Sequence, residues 1–132
     1  MSKETFDIFA NGCLSLPIGC KNFSQLCWCQ HPNFSGVNLK HLITAEDTEN
    51  AYSFHLVSIE PYMKIGEYFH NGQLETHEVI AGHGFCINNG VEIKYKSDVL
   101  SIFAANTLHQ VVAGKKDCIF LRNFFQHYAK LF

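Results

Sequence analysis

The sequence predicts an all-β fold, a sandwich or barrel of the double-sheet jelly-roll kind. Two observations predict it. Between Val37 and Phe125 the chain reads as a succession of short runs rich in β-branched and aromatic residues, and turn-forming clusters separate them with no helical period between. A parallel α/β sheet needs helical crossovers, so this spacing points to antiparallel strands closed into two packed layers. At 132 residues the chain is one domain's worth, enough to bury a core without covalent staples.

Residues 1–36 mix Gly12, Pro17, Gly19 and Pro32 with scattered aromatics, which sustains neither a helical nor an alternating period. They are expected to form an irregular arm, with one short helix near its start, packed on the barrel or on a second subunit. The barrel spans 37–125, with strands over Val37 to Leu42, Ala51 to Ile59, Lys64 to His70, Leu74 to Ala81, Gly84 to Ile87, Val91 to Tyr95, Val99 to Phe103, Leu108 to Val112 and Cys118 to Phe125. Connectors such as Asn71-Gly72 and the stretch Asn88 to Gly90 supply the turns. The run from Ala51 to Ile59 is apolar on both faces, so one face lines the barrel and a second layer covers the other. The tail, 126–132, is aromatic and is expected to dock on the body or on a partner. A homodimer follows, because an open jelly roll must also cover its edge strands.

Composition excludes several function classes. Hydrophobic residues make up 47% of the chain, so it is not intrinsically disordered. The net charge is −2 and Arg122 is the single arginine, so no basic stripe exists to hold nucleic acid. No apolar stretch is long enough to cross a bilayer, and the first residues carry Glu4 and Asp7 where a secretory leader carries positive charge. A cytoplasmic protein is expected. Its six cysteines are then free thiols rather than disulfides. A zinc cluster of Cys27, Cys29, Cys13, Cys20 and His31 is the weaker reading, since structural zinc sites favour cysteine pairs two to four residues apart.

Chemistry concentrates between Gly66 and Gly82. Residues two apart on a strand share a face, so Glu75, His77 and Val79 go together, as do Tyr68 and His70 on the preceding strand. The short Asn71-Gly72 connection makes those strands neighbours. If the common face is the barrel interior, a carboxyl, two imidazoles and a phenol converge there. Burying them uncompensated is costly, and a metal ion is one of few partners that satisfies them together.

This region resembles the first motif of the cupins, in which a His-x-His pair precedes a Glu and then a Gly. Four residues separate His70 from Glu75 and six separate Glu75 from Gly82, as in the motif, but Tyr68 stands where the first histidine belongs. The stretch from Asp98 to His109 resembles the second motif, without its turn proline and glycine and with Ala113 in place of its terminal Asn. The resemblance implies a double-stranded β-helix, the cupin barrel, and makes His70, Glu75 and His109 ligands of a divalent metal. His77 is the substitute for the missing histidine. Such a set leaves coordination positions open and suits Fe, with Mn, Ni, Co and Zn as competitors.

The expected function is to bind a small molecule at that metal, with Lewis-acid or dioxygenase-type chemistry open to it. The enzyme class stays undecided among dioxygenase, isomerase and lyase. Tyr68 is then the acid/base or hydrogen-bond donor. The alternative is a non-catalytic sensor or binding module of the same fold. A nucleotide-sugar epimerase is disfavoured by the scarcity of arginine. His55 is expected inside the barrel beside Ser53 and Val57, and Glu78 on the opposite face from Glu75. His31, His41, His83 and His127 are read as edge or solvated residues.

Overall fold

The computed structural model describes residues 11–68 and 72–125. The strands are β1 (Cys13–Leu16), β2 (Gly19–Asn22), β3 (Cys29–Gln30), β4 (Val37–Ile43), β5 (Tyr52–Ile59), β6 (Lys64–Tyr68), β7 (Leu74–Asn88), β8 (Val91–Lys96), β9 (Leu100–Phe103) and β10 (His109–Phe125), with short 3-10 turns at Phe23–Gln25 and Ala45–Thr48. β1 and β2 form a separate hairpin. The rest make one antiparallel sheet in the order β3-β4-β5-β10-β7-β8, with β6 paired to β10 and β9 to β7. The fold is all-β, as the strand spacing predicts.

Two expected strand pairs are in fact single bent strands. β7 runs through the bend at Gly82, and β10 runs through its exposed stretch 115–117. Gly82 makes the bend possible. Its φ is +72°, and a Cβ there would run into the carbonyl oxygen of Asp117 on the facing strand. Only a residue without a side chain takes that conformation at that contact.

The arm is more regular than its composition predicts. Its hairpin, its 3-10 turn and β3 all pack on the barrel, and the expected short helix near the start lies outside the described residues. Phe23, carried by the 3-10 turn, joins buried Leu42, Leu56 and Leu121 in a layer that Leu14 and Leu26 complete. The arm is thus the second layer over the outer face of β4, β5 and β10. Each such leucine, fully removed from water, contributes about 1.5–3 kcal/mol. Lys40 ties the two parts together, donating from its buried amine to the Phe23 carbonyl (3.1 Å) and lying 5.1 Å from the Trp28 ring centre.

The inner face is built in rows, because residues opposite one another in an antiparallel ladder share a face. Leu39, Val57, Phe120 and Val79 pair across β4, β5, β10 and β7 as an apolar row of the main core. Two residues further along, His41 pairs with His55, His55 with Arg122, Arg122 with His77, and His77 with Ser101. Next comes the row of Ser53, Phe124, Glu75 and Phe103. The interior is therefore apolar at depth, polar in the row of His77, and mixed in the row of Glu75.

Candidate metal centre

Glu75 and His77 stand two apart on β7 and both point inward, with relative exposures of 1% and 0%. His109 opens β10 and is equally buried. The bends in the two long strands carry it across the barrel to the carboxylate. Nε2 of His77 lies 2.6 Å from one Glu75 oxygen and Nε2 of His109 lies 3.1 Å from the other. Three potential ligand atoms, one from each residue, all lie within 4.8 Å of one another. Among the described residues this is the one group of His, Cys, Asp and Glu so placed.

Aromatic side chains fix both imidazoles. The His109 ring stacks on Phe103 at 4.2 Å and 20°, and His77 is held between Phe103 and Phe120 at 4.6 and 4.5 Å. Nδ1 of His109 donates to the Thr107 carbonyl at 2.9 Å, which turns its Nε2 toward Glu75 and the site. Nδ1 of His77 lies 2.9 Å from the Tyr95 hydroxyl. That hydroxyl can donate or accept. When it donates, His77 carries its proton on Nε2 and gives it to Glu75; when it accepts, the Nε2 lone pair is available.

The ionisation states suit a cation. Burial pushes the Glu75 carboxyl up, but hydrogen bonds from His109 and His77 outweigh it and hold the group well below the usual carboxylate range. Burial keeps His77 neutral despite the pull of Glu75 in the other direction. A divalent metal that displaced the Nε2 protons shared with Glu75 would find one carboxylate and two imidazole nitrogens, the donor types it takes. The residues present fit a divalent metal.

Of the residues the sequence singles out, the structure brings together Glu75, His77 and His109. His70 lies outside the described residues, as does His127. Tyr68 ends β6 directly opposite His109 in the ladder. His55 lies inside beside Ser53, and Glu78 is exposed on the other face, both as expected. His41 is exposed and reaches the His55 ring, Nδ1 to Nδ1, at 2.8 Å. Cys13, Cys20, Cys27 and Cys29 are exposed free thiols and join no metal group among the described residues. Burial raises the thiols of Cys86 and Cys118 to about 11 and about 12, which makes them unreactive core residues. Tyr95 is the functional residue the sequence reading missed. Its signal was present, since Val91, Ile93 and Tyr95 alternate with Glu92, Lys94 and Lys96, which places all three on one face.

No family model matches the sequence, and no curated protein matches it. Solved structures do match the fold. A predicted oxalate decarboxylase from Thermotoga maritima superposes with a TM-score of 0.72 at 22% identity, covering 78% of this chain and 95% of that one. The cupin domain of Schizosaccharomyces pombe Cnp3 gives 0.69 at 10% identity, over 83% and 75% of the two chains. A cupin-2 domain from Rhodospirillum rubrum gives 0.68 at 12% identity, over 76% and 69%. This chain has the cupin fold. In the cupin barrel, the stretch resembling the second motif keeps its turn without the usual residues. Asn106 takes φ +64° in the turn closed by Thr107 N–H to Ala104 C=O at 3.2 Å, and Asp98 takes φ +76°. Asn and Asp tolerate this left-handed region better than other side chains do, so the loop still delivers His109 to the interior.

Proposed function

We propose that this cupin barrel binds a divalent metal through Glu75, His77 and His109, with His70 as a further ligand, and takes a small molecule directly at that metal. The observation that carries the reading is the contact of an ionised, buried carboxylate with two imidazoles whose outer nitrogens are oriented by Thr107 and Tyr95. A metal held by so few protein ligands keeps coordination positions open and supplies Lewis-acid or oxygen chemistry there. Phe103 and Phe120 wall the site against water, and Tyr68, at the end of the strand paired with His109, is the proposed hydrogen-bond donor to the ligand. The likeness of the fold to a predicted oxalate decarboxylase supports such a site. The protein is proposed to act in the cytoplasm as a homodimer.

Phenol has a pKa near 10 and must lose a proton to bind metal well, whereas neutral imidazole does not. His77, rather than Tyr68, therefore replaces the motif's first histidine. Metal content of protein purified without a histidine tag, followed by cobalt titration, tests this. His77→Ala and His109→Ala should each abolish stoichiometric binding, while Tyr68→Phe keeps the metal and weakens ligand binding. Loss of metal in Tyr68→Phe reverses the assignment.

A second reading, a metal-free binding module, has one observation in its favour. Tyr95, His77 and Glu75 form a continuous hydrogen-bonded chain with only protons to hold it. A parent protein that takes up no metal under these conditions selects it.

A further inference from the structure

The row containing His77 continues away from the metal set, and its other members are basic. Arg122 lies directly opposite His77 on one side and His55 on the other, and His55 faces His41 in turn. Arg122 shares its face of β10 with core residues Cys118 and Phe120 and is 7% exposed, so it points into the barrel. Its guanidinium carbon lies over the Phe124 ring, 4.7 Å from the ring centre. Nδ1 of His55 is 2.8 Å from that of His41, and Nε2 of His55 is 3.0 Å from the Ser53 hydroxyl. The guanidinium, the His55 imidazole and the Ser53 hydroxyl therefore lie along one stretch of the wall, with exposed His41 at its outer end.

We propose that Arg122, His55, His41 and Ser53 form a carboxylate-binding subsite next to the metal set, so that the ligand of this barrel is a small carboxylic acid. The inference rests on the metal-binding reading above and assigns the substrate class to it. The planar guanidinium fork matches a carboxylate with two parallel N–H donors. Arg122 and His77 stand opposite one another on adjacent strands, which lie about 4.8 Å apart, so the guanidinium and the metal set belong to neighbouring strands of one wall. Charge favours the same ligand. A divalent ion on one carboxylate and two neutral imidazoles retains a net charge of +1, and Arg122 adds another one strand away. Burial first, and then the positive charge of Arg122, disfavour protonation of His31, His41 and His55. A bound anion would offset the positive charge of Arg122.

The test uses malonate as the probe and malonamide as its neutral counterpart, on full-length protein loaded with one equivalent of cobalt(II). Calorimetric titration should show malonate binding at least tenfold tighter than malonamide. Arg122→Gln should weaken malonate at least tenfold with cobalt content unchanged, and His55→Gln should weaken it less. Arg122→Lys keeps the charge and the stem but loses the fork, and it is read in the same way should Arg122→Gln fail to fold. Equal affinity for malonate and malonamide, or unchanged malonate binding in the Arg122 variants, overturns the subsite. If the parent takes up no cobalt, the metal reading fails and the subsite is judged separately in metal-free protein. Malonate should then move the ring proton resonances of His55 and His41 in the parent and leave them unmoved in Arg122→Lys. No movement in the parent overturns the proposal.

Discussion

Nδ1 of His77 lies 2.9 Å from the hydroxyl oxygen of Tyr95, on the side of the ring away from Glu75. The hydroxyl orients an imidazole that is already fully buried, and its ability to donate or accept lets His77 present either a proton or a lone pair to the carboxylate. Partners of this kind typically change metal affinity ten- to a hundredfold when removed. Tyr95→Phe should therefore weaken cobalt or zinc binding by at least about tenfold. Competition against a chromophoric chelator measures it. Unchanged affinity would reduce Tyr95 to a packing residue.

Acid should destabilise the fold through the histidine row. Burial first, and then the positive charge of Arg122, depress His55 from its ordinary 6.5 to about 3. The unfolded chain then binds a proton that the folded chain refuses, so the contribution of neutral His55 is complete above pH 6.5 and is lost as pH falls toward 3. Well below 6.5 the slope approaches about 1.4 kcal/mol per pH unit for each proton taken up. His41 and His31 are lowered by the same two causes and act with the same sign. Urea denaturation between pH 7.5 and 4.5 should show this decline, and His55→Gln should flatten it. Equal slopes in parent and variant would remove His55 as the cause.

Most of the barrel was legible because its strands alternate. Val37 to Ile59 could be read from β-branched and aromatic runs, and the placement of Glu75 and His77 on one face needed only the period of two. What was not legible depends on contacts between distant segments. Whether Arg122 points inward is decided by the register of β10 against β5 and β7, which no local pattern states. The same holds for Gly82: sequence marks it as a break between strands, whereas the close approach of Asp117 makes it a bend within one. The arm was misread for another reason. Pro17 and Gly19 suppress periodicity locally, yet Phe23 is held by the leucines it covers, an instance of tertiary packing overriding local preference.

The dimer now rests on different residues from those the sequence offered. The outer face of β5 is covered by the arm, and the aromatic tail 126–132 lies outside the described residues. On β9, however, Leu100 and Ile102 point outward at 72% and 62% exposure, two large apolar side chains on the same face of one strand. Sedimentation at micromolar concentration should give twice the chain mass, and the double change Leu100→Lys with Ile102→Lys should give the monomer. A parent that sediments as a monomer sinks this reading.

Two glycines with nearly the same backbone conformation but different surroundings separate strain from contact. Gly90 has φ +84° in the turn between β7 and β8, and a Cβ there would meet nothing within 4 Å. Gly82 has φ +72°, and its Cβ would collide with the Asp117 carbonyl of β10. Gly90→Ala should therefore cost only the left-handed conformation, about 1–2 kcal/mol. Gly82→Ala adds a backbone collision that no flexible side chain can absorb, and relieving it must shift β10 against β7. The shift would reach both the ladder that holds Arg122 opposite His77 and the path of the strand that begins at His109. Gly82→Ala should thus destabilise the fold by at least about 2 kcal/mol more than Gly90→Ala, as overpacking against fixed neighbours does. It should also weaken metal binding, which Gly90→Ala leaves intact. Denaturant midpoints of the two variants, with cobalt titration of each, provide the comparison, and equal losses of stability would show that the bend in β7 tolerates a side chain.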